Sequence, residues 1–323
     1  MSRLRWGILG AAKIAREWVA PAIHSSDRGA LAAVASLTPG KAETLAAPYG
    51  ARVLHDYQAL LSDPDVDAIY IPLPNSEHVA WTARCLEAGK HVLCEKPIAL
   101  RAAEIDGLIA ARDRAGRLAA EAFMVTHHPQ WSRARELVQD GAIGQLRSVQ
   151  GAFSFDNRDP GNIRNRPEVG GGALRDIGVY PVVTTRFVTG AEPVAAGAEI
   201  DWQDGVDASA WARLDFPDFR LDFYVSMRLA PRQVMTFHGD KGWISLAAPF
   251  NAGAYGDATV ELRRDGGLVE IARFPRADQY KAQIDAFNAS ALDGVPYPCP
   301  LEFSRGNQAA IDLIYAAEAR GRG

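Results

Sequence analysis

The sequence has few cysteines and no long apolar run, and each shortage excludes a class of protein. Its three cysteines have neither the even count of a disulfide framework nor the C-x-x-C spacing of a zinc site. No stretch approaches the roughly 18 uninterrupted apolar residues of a transmembrane helix. The N-terminus also lacks the apolar core of a signal peptide. We therefore expect a cytoplasmic protein with reduced thiols and no membrane partner.

Excess charge of either sign is also missing. The chain carries 35 Lys and Arg against 39 Asp and Glu, a formal net charge of -4. This balance argues against a nucleic-acid partner, which would require a basic surface. The chain has 323 residues, of which 48% are hydrophobic, enough for two domains with cores of ordinary size.

The first third of the chain alternates apolar runs with helical patterns. Strands are predicted at 4–10, 30–36, 51–56, 66–74, 91–96 and 117–124. The predicted helices are 11–26, interrupted by Pro21, then 40–50, 57–63, 76–89 and 101–116. Strands that are apolar on both faces and separated by helices indicate a parallel sheet covered on both sides. We predict an α/β domain over 1–122, with ligands at the carboxyl ends of its strands.

The pattern changes after about residue 122. Strands are predicted at 143–156, 194–201, 208–216, 220–228, 232–238, 241–246, 258–263 and 267–273. Short polar or glycine turns separate them, which indicates an antiparallel sheet. Helices are predicted at 129–140, 174–189, 278–293 and 303–320. We predict an α+β domain over 123–323 that binds substrate.

A glycine turn joins the first strand to the first helix. In "GILGAAKIA", Gly10, Ala12 and Ala15 occupy the three positions of the dinucleotide fingerprint G-x-G-x-x-G/A. By itself the motif is weak, since an ordinary strand-to-helix turn could match it. Its place at the start of a repeated β-α-β array supports a dinucleotide site. The predicted cofactor contacts here are Gly10, Ala11, Ala12, Lys13 and Ile14.

The end of the second strand bears on the choice of cofactor. An NAD site usually has Asp or Glu here to bind the ribose hydroxyls. The segment "AVASLTPGK" instead offers Ser36, Thr38 and Lys41, two small donors and a cation that suit a 2′-phosphate. We predict that NADP(H) is preferred and that NAD(H) is possible.

Four ordered motifs resemble the Gfo/Idh/MocA oxidoreductases (glucose–fructose oxidoreductase, inositol dehydrogenase, rhizopine catabolism). They are "YIPLPNSEH", "GKHVLCEKPIAL", "EAFMVTHHPQ" and "GGGALRDIGVY", and the likeness spans nearly the whole chain. The branch resembled contains glucose–fructose oxidoreductase, dimeric dihydrodiol dehydrogenase and NADP-dependent xylose dehydrogenase. The resemblance implies a Rossmann domain followed by a domain with a large, open, mainly antiparallel sheet. It also implies a homodimer or a higher homo-oligomer.

The resemblance assigns roles to several residues. Lys96 of the E-K-P motif would be catalytic beside the nicotinamide, and its bond to Pro97 would be cis. Asp176 and Tyr180 complete the catalytic set, four residues apart on a predicted helix and thus on one face. The remaining cofactor contacts implied or considered are Pro72, Leu73, Asn75, His78, Glu95 and Arg164.

Hydride transfer at a carbinol also requires movement of a proton. Tyrosine and lysine are each poor acid–base groups at neutral pH, but a neighbouring cation makes a phenol a better acid. We hypothesise that Tyr180 exchanges the proton, Lys96 polarises the substrate oxygen, and Asp176 orients the substrate or the lysine. Which of Lys96 and Tyr180 moves the proton stays open.

Other polar residues are candidates for substrate binding. His128, Gln130 and Tyr280 are expected to border the substrate pocket, together with Asp176 and Tyr180. His127 and His128 are adjacent, so on an extended chain they point to opposite faces. No carboxylate or thiol has ligand spacing to them, and we predict no metal site.

These features favour an NADP(H)-dependent oxidoreductase acting on a CH–OH or C=O centre of a small sugar or polyol. One alternative is a trans-dihydrodiol dehydrogenase. Another is a non-catalytic nucleotide sensor on the same fold, although such a protein would have little reason to keep Lys96, Asp176 and Tyr180 together. A third would use the cofactor transiently for elimination or glycoside cleavage. The particular sugar and the direction of the reaction cannot be read from the sequence.

Overall fold

The computed structural model describes residues 2–321, which divide into two compact units. The first comprises the chain up to Met124 together with Tyr280–Arg305. The second comprises Val125–Gln279 together with the described residues from Gly306 onward. Each unit is built around one β-sheet, and the predicted α/β class is confirmed.

The sheet of the first unit is parallel throughout. Its strands are β1 (Leu4–Leu9), β2 (Gly29–Ala35), β3 (Arg52–Leu54), β4 (Ala68–Ile71), β5 (His91–Cys94) and β6 (Ala119–Glu121). The strand order is β3-β2-β1-β4-β5-β6, so the switch point of the sheet lies between β1 and β4. Ile8, Val34 and Ile69 are fully buried because both faces of the sheet are covered.

Helices connect these strands. They are α1 (Ala20–Ser25), α2 (Lys41–Ala46), α3 (Tyr57–Ser62), α4 (His78–Glu87) and α5 (Ala102–Ala115). A π-helical turn, Ala15–Val19, precedes α1, and Pro21 stands in the first turn of α1. The predicted interruption at Pro21 is therefore wrong, because the helical segment changes geometry before the proline and continues through it. Asp56 caps the N-terminus of α3, and its carboxylate accepts from the N–H groups of Gln58 and Ala59, both at 3.1 Å. Such a cap typically stabilises a helix by about 1 kcal/mol.

The C-terminal segment Tyr280–Arg305 clusters with the first unit, which differs from the single predicted boundary near residue 122. Buried contacts explain this: the indole Nε1 of Trp6 donates to Asn288 Oδ1 at 3.0 Å, and the ring of Phe287 lies 4.9 Å from the Trp6 ring. Trp6 is therefore a core residue of β1. Long-range partners of this kind leave no periodic signal in the sequence.

The second unit contains an eight-stranded, mainly antiparallel sheet, as predicted. Its strands are β7 (Leu146–Asp156), β8 (Ala195–Gln203), β9 (Val206–Asp215), β10 (Arg220–Ser226), β11 (Arg228–Gly239), β12 (Gly242–Leu246), β13 (Thr259–Arg264) and β14 (Val269–Arg273). Their order is β14-β13-β12-β11-β7-β10-β9-β8. Among the described strand pairs of this second sheet, only β7–β10 is parallel.

The two faces of this sheet differ. Along β9, Ala210, Ala212 and Leu214 are buried, whereas Trp211 is 47% exposed and Arg213 is exposed. This alternation is typical of a sheet with one packed and one open face. The later helices are α6 (Pro129–Gln139), α7 (Val179–Thr189), α8 (Gln279–Asp293) and α9 (Leu301–Gly321). Over residues 2–321, no helix is both long enough and apolar enough to cross a membrane.

Candidate active site

The glycine turn after β1 has the geometry of a phosphate-binding loop. Gly10 has φ +108°, a conformation that side chains rarely adopt, and its N–H donates to Ala35 O at 2.8 Å. A Cβ at Gly10 would lie 2.8 Å from Leu73 Cδ2, a clash. Leu73 follows β4, so the loops after two adjacent strands, β1 and β4, meet at the switch point. Only glycine fits here, as the fingerprint requires.

The helical segment after this turn can accept a pyrophosphate. It begins at Lys13 and passes directly into the π-helical turn. First-turn N–H groups have no intrahelical acceptor and carry partial positive charge, so they favour an anion. Ala12 adds a methyl group where the fingerprint has its second glycine, but it lies outside the helix and leaves these donors in place. The residues present therefore fit a dinucleotide.

Ser36, Thr38 and Lys41 lie together at the end of β2 but differ in exposure. Ser36 is 5% exposed, and its hydroxyl accepts from the Thr38 N–H at 3.1 Å. Ser36 thus shapes the turn, because its hydroxyl is already engaged within it. Thr38 and Lys41 are exposed and can contact a ligand phosphate.

The structure gives His78 a different role from the predicted cofactor contact. His78 is fully buried, and its Nε2 and Nδ1 lie 2.8 Å from Leu73 O and 2.7 Å from Pro97 O. Burial lowers the pKa of this imidazole. A neutral imidazole has one N–H, so His78 donates to one of these carbonyls and packs against the other, between the loop after β4 and the turn after β5. Asn75 and Pro72 remain predicted contacts: Asn75 is half-buried and starts a 3₁₀ turn, and Pro72 is buried.

The turn after β5 carries Glu95 and Lys96 at the carboxyl edge of the parallel sheet. The Lys96–Pro97 peptide is cis, as predicted. The Tyr70 hydroxyl donates to Glu95 Oε1 at 2.6 Å, and the Lys96 N–H donates to Glu95 Oε2 at 3.2 Å. Burial first, and then the adjacent Glu95 carboxylate, raises the pKa of Tyr70 well above its ordinary value. The Glu95 carboxylate is therefore oriented by a neutral phenol beneath it.

The sequence did not assign Tyr70 to the site, because the signal that links it to Glu95 depends on the register between two strands. Tyr70 in β4 pairs in register with Leu93 in β5, and Glu95 lies two residues beyond Leu93. Such diagonal neighbours point to the same face of a sheet and are within reach of a long side chain. The register between the two strands was needed to see the pair.

Glu121 is a second residue that the sequence did not reveal. It ends β6, is 4% exposed, and its Oε1 accepts from the Ile98 N–H at 2.9 Å. Burial raises the pKa of Glu121 to about 7, against the hydrogen bond from Ile98, which lowers it. Glu121 thus holds the backbone two residues after Lys96, at a site where a charged carboxylate is costly.

In the second unit, two glycines of "GGGALRD", Gly171 and Gly172, are sterically required. A Cβ at Gly171 would lie 2.5 Å from Arg164 O and 2.8 Å from Ile163 O. The Gly172 N–H donates to Arg164 O at 2.9 Å, which joins this turn to the 162–166 loop. Arg164 Nε in turn donates to Asp176 Oδ2 at 2.6 Å. Two predicted site residues, Arg164 and Asp176, therefore form an ion pair.

Asp176 and Tyr180 lie on either side of a change in helix geometry. Asp176 is in a π-helical turn, Leu174–Gly178, and Tyr180 is the second residue of α7. Single π-helical turns are frequent at functional sites. Tyr180 is 5% exposed, and its ring lies 5.6 Å from the rings of both Phe153 and Phe250. The spacing argument assumed a regular α-helix, so the shared face of Asp176 and Tyr180 stays a prediction.

The remaining substrate candidates are placed differently from the expectation. His128 and Gln130 are fully buried at the start of α6, where His128 Nδ1 accepts from the Gln130 N–H. Gln130 Nε2 donates to Ala248 O at 3.0 Å, and this hydrogen bond links α6 to the loop after β12. Tyr280 belongs to the first unit, where its ring stacks on Trp18 at 5.3 Å. No group of three potential metal ligands occurs in the described part of the chain.

Comparison with known families agrees with this geometry. Residues 4–123 match the sequence model of the oxidoreductase family with an NAD-binding Rossmann fold, GFO_IDH_MocA, and residues 131–245 match the Gfo/Idh/MocA C-terminal domain. The chain belongs to the Gfo/Idh/MocA family. It is therefore an oxidoreductase with a dinucleotide-binding Rossmann domain, and the predicted family and fold are confirmed.

Several relatives of this chain are named for reactions on sugars. The dTDP-3,4-didehydro-2,6-dideoxy-α-D-glucose 3-reductase of Streptomyces violaceoruber is 36% identical over 88% of this chain and 84% of its own length. The D-xylose 1-dehydrogenase (NADP(+)) 2 of Haloferax volcanii is 32% identical over 98% of both chains. The structure is similar to a 3-ketoreductase from Actinomadura kijaniata, crystallised with NADP and TDP-benzene, with TM-score 0.90, 31% identity and 98% coverage of both chains.

Proposed function

We propose that this protein transfers hydride between NADP(H) and a CH–OH or C=O centre of a sugar or a related polyol. The observation that carries the proposal is the placement of Glu95 and Lys96 at the carboxyl edge of a dinucleotide-binding sheet, at the end of a strand adjoining the switch-point strand β4. The Glu95 carboxylate, held by Tyr70, is suited to contact the nicotinamide or its ribose.

The protein's own groups supply the proton chemistry, while bound NADP(H) supplies or accepts the hydride. Tyr180 exchanges the proton with the substrate oxygen, and Lys96 polarises that oxygen. Asp176, paired with Arg164, orients the substrate or the lysine. The aromatic surroundings of Tyr180 exclude water from one side of the phenol, which strengthens its interaction with a neighbouring charge.

A screen with both cofactors tests this function. Nicotinamide absorbance would be followed with NADH and NADPH over aldoses, ketoses, a cyclic trans-diol and dTDP-linked keto sugars. We expect turnover with at least one sugar and a lower KM for NADPH. Tight NADPH binding without turnover on any member would contradict the proposal.

A nucleotide-linked keto sugar is the second candidate for the substrate. It is favoured by the 36% identical relative, whose name specifies 3-reduction of a dTDP-linked sugar. The xylose dehydrogenase relative is matched over more of its length and acts on a free sugar. Relative kcat/KM values on the two substrate types would distinguish the candidates.

Preference for the phosphorylated cofactor is predicted to depend on Lys41. Replacing Lys41 by alanine removes an exposed cation at the end of β2, and we expect the KM for NADPH to rise about tenfold, the effect of one charge-assisted contact. The KM for NADH should stay nearly unchanged, because NADH has no 2′-phosphate. Lys241→Ala, the same change on an exposed turn of the second unit, serves as the control. An equal effect on both cofactors would remove Lys41 from this role.

We also propose a cytoplasmic homodimer or higher homo-oligomer that covers the open sheet face. That face carries the exposed indole of Trp211 among charges of both signs, including Arg213 and Asp222, so two copies can complement each other. Trp211→Glu is expected to reduce the molar mass measured by light scattering to that of a monomer. A wild-type monomer at micromolar concentration would contradict the assembly. The three cysteines are buried thiols outside any disulfide, as a reducing compartment permits.

A further inference from the structure

A buried carboxylate lies beneath the glycine turn of the second unit and takes no part in the proton chemistry described above. Asp207 is the second residue of β9 and is 1% exposed. We propose that Asp207 is a positioning residue, whose carboxylate caps from a separate strand the helical turn that carries Asp176 and leads to Tyr180. The inference rests on the proposed function, because it assigns Asp207 to the same reaction.

The hydrogen bonds of Asp207 are those of a helix cap. Its Oδ2 accepts from the Leu174 N–H at 2.6 Å, and its Oδ1 accepts from the Tyr315 hydroxyl at 2.9 Å. The first N–H groups of a helix have no intrahelical acceptor, and a side chain at the capping position usually provides one. Here that position is Ala173, which has no side-chain acceptor. Asp207 supplies it from 33 residues away.

Gly172 makes this long-range cap possible. A Cβ at Gly172 would lie 1.9 Å from Asp207 Oδ1, so only glycine admits the carboxylate. Gly172 also has φ +125°, and its carbonyl accepts from the Asp176 N–H at 3.0 Å. The turn is therefore fixed at Leu174 by Asp207 and at Asp176 by Gly172. Displacement of this turn would move the carboxylate of Asp176 directly.

The charges around Asp207 favour its ionised form at neutral pH. Burial raises the pKa of Asp207 to about 6, while the Leu174 N–H, the Tyr315 hydroxyl and the Arg175 guanidinium oppose the rise. Arg175 lies over the Tyr315 ring at 5.3 Å, and Asp312 is a further charge near Tyr315. Above this pKa the negative charge stands at the positive end of the helical segment and strengthens the cap. In acid the neutral carboxyl is a weaker acceptor.

Kinetics of Asp207→Asn test the proposal. Asparagine keeps the size of the side chain but removes its charge. We therefore expect kcat at about pH 8 to fall roughly tenfold or more, a loss typical of misplaced catalytic groups. The KM for NADPH should change by less than about twofold. A larger rise would require the loss of an interaction that binds the ground state and the transition state equally, and the substitution removes none. The ratio of wild-type to variant kcat should shrink as the pH falls below about 6, because wild-type Asp207 then becomes neutral as well. A ratio independent of pH would indicate a packing role only and would overturn the proposal.

Hydrogen–deuterium exchange provides a readout that needs no substrate. In Asp207→Asn we expect faster exchange confined to the peptide spanning 172–178, and Asp204→Asn, the same change in an exposed turn, should leave it unchanged. Unaltered exchange in the Asp207 variant would overturn the proposal even if no substrate were found.

If Asp207→Asn does not fold, Tyr315→Phe serves instead, because it removes one hydrogen-bond donor to the Asp207 carboxylate. The fall in kcat at acid pH should then move to higher pH. No movement would contradict the proposed cap.

Discussion

Replacing Lys96 by methionine is expected to lower kcat by about 10²–10⁴-fold, the usual contribution of a positioned acid–base or polarising group. Methionine keeps much of the length of the side chain and removes its charge. The turn itself should survive, because its backbone is held by Glu121 at Ile98 and by His78 at Pro97. The loss should therefore appear in kcat, measured by the rate of nicotinamide absorbance change at saturating substrate.

Two measurements separate lost chemistry from lost binding in the Lys96 variant. The Kd for NADPH, measured by fluorescence, should change much less than kcat, because the phosphate loop around Gly10 is untouched. Lys281→Met is a matched control, since Lys281 also lies in the first unit and pairs with Asp285 in a half-exposed helical i,i+4 contact. Wild-type kcat in the Lys96 variant would show that this lysine has no part in the chemistry.

Tyr180→Phe is the second substitution with a large expected effect, a fall in kcat of about 10²-fold or more. It removes one hydroxyl and keeps the ring that packs against both Phe153 and Phe250. Because that aromatic packing is retained, the melting temperature should move by no more than about 2–4 °C, equivalent to about 1 kcal/mol in a chain of this size. Tyr224→Phe, whose hydroxyl accepts from Arg232 on the open face, is the control.

The double variant decides whether the two groups act as a unit. If Lys96 tunes Tyr180, the Lys96→Met and Tyr180→Phe losses will be far from additive, and the double variant will resemble the worse single variant. Losses that multiply would mean that the groups act independently. A Tyr180→Phe variant that turns over at the wild-type rate would assign proton transfer to Lys96 or to another group.

The strands, the main helices and the cofactor edge could be predicted because their signals are local. Apolar runs separated by helical periods define a doubly covered parallel sheet, and the carboxyl ends of its strands must meet at one edge. Gly10 and Lys96 could therefore be assigned to that edge without coordinates. Trp6 could likewise be assigned to the core, although its partner Asn288 could not be found.

The predictions that differ from the observed placement of a residue have a common physical cause. His78 and Gln130 carry groups that suit a ligand, but in the fold both His78 ring nitrogens lie against backbone carbonyls and the Gln130 Nε2 donates to Ala248 O. A polar side chain that is fully buried must satisfy its hydrogen bonds within the protein, and this demand competes with ligand binding. The sequence shows which groups a residue offers but not whether they are already used.

The sequence by itself determined the family, the parallel and antiparallel sheets, and which polar residues lie at the carboxyl ends of the parallel strands. Only the tertiary structure revealed the supporting carboxylates and phenol, Glu121, Asp207 and Tyr70, since each acts across a distance of 23 to 33 residues. Their hydrogen bonds depend on strand register and on close backbone approach, which a linear pattern does not encode. Motif residues are thus predictable, whereas the groups that hold them in place become visible once the chain is folded.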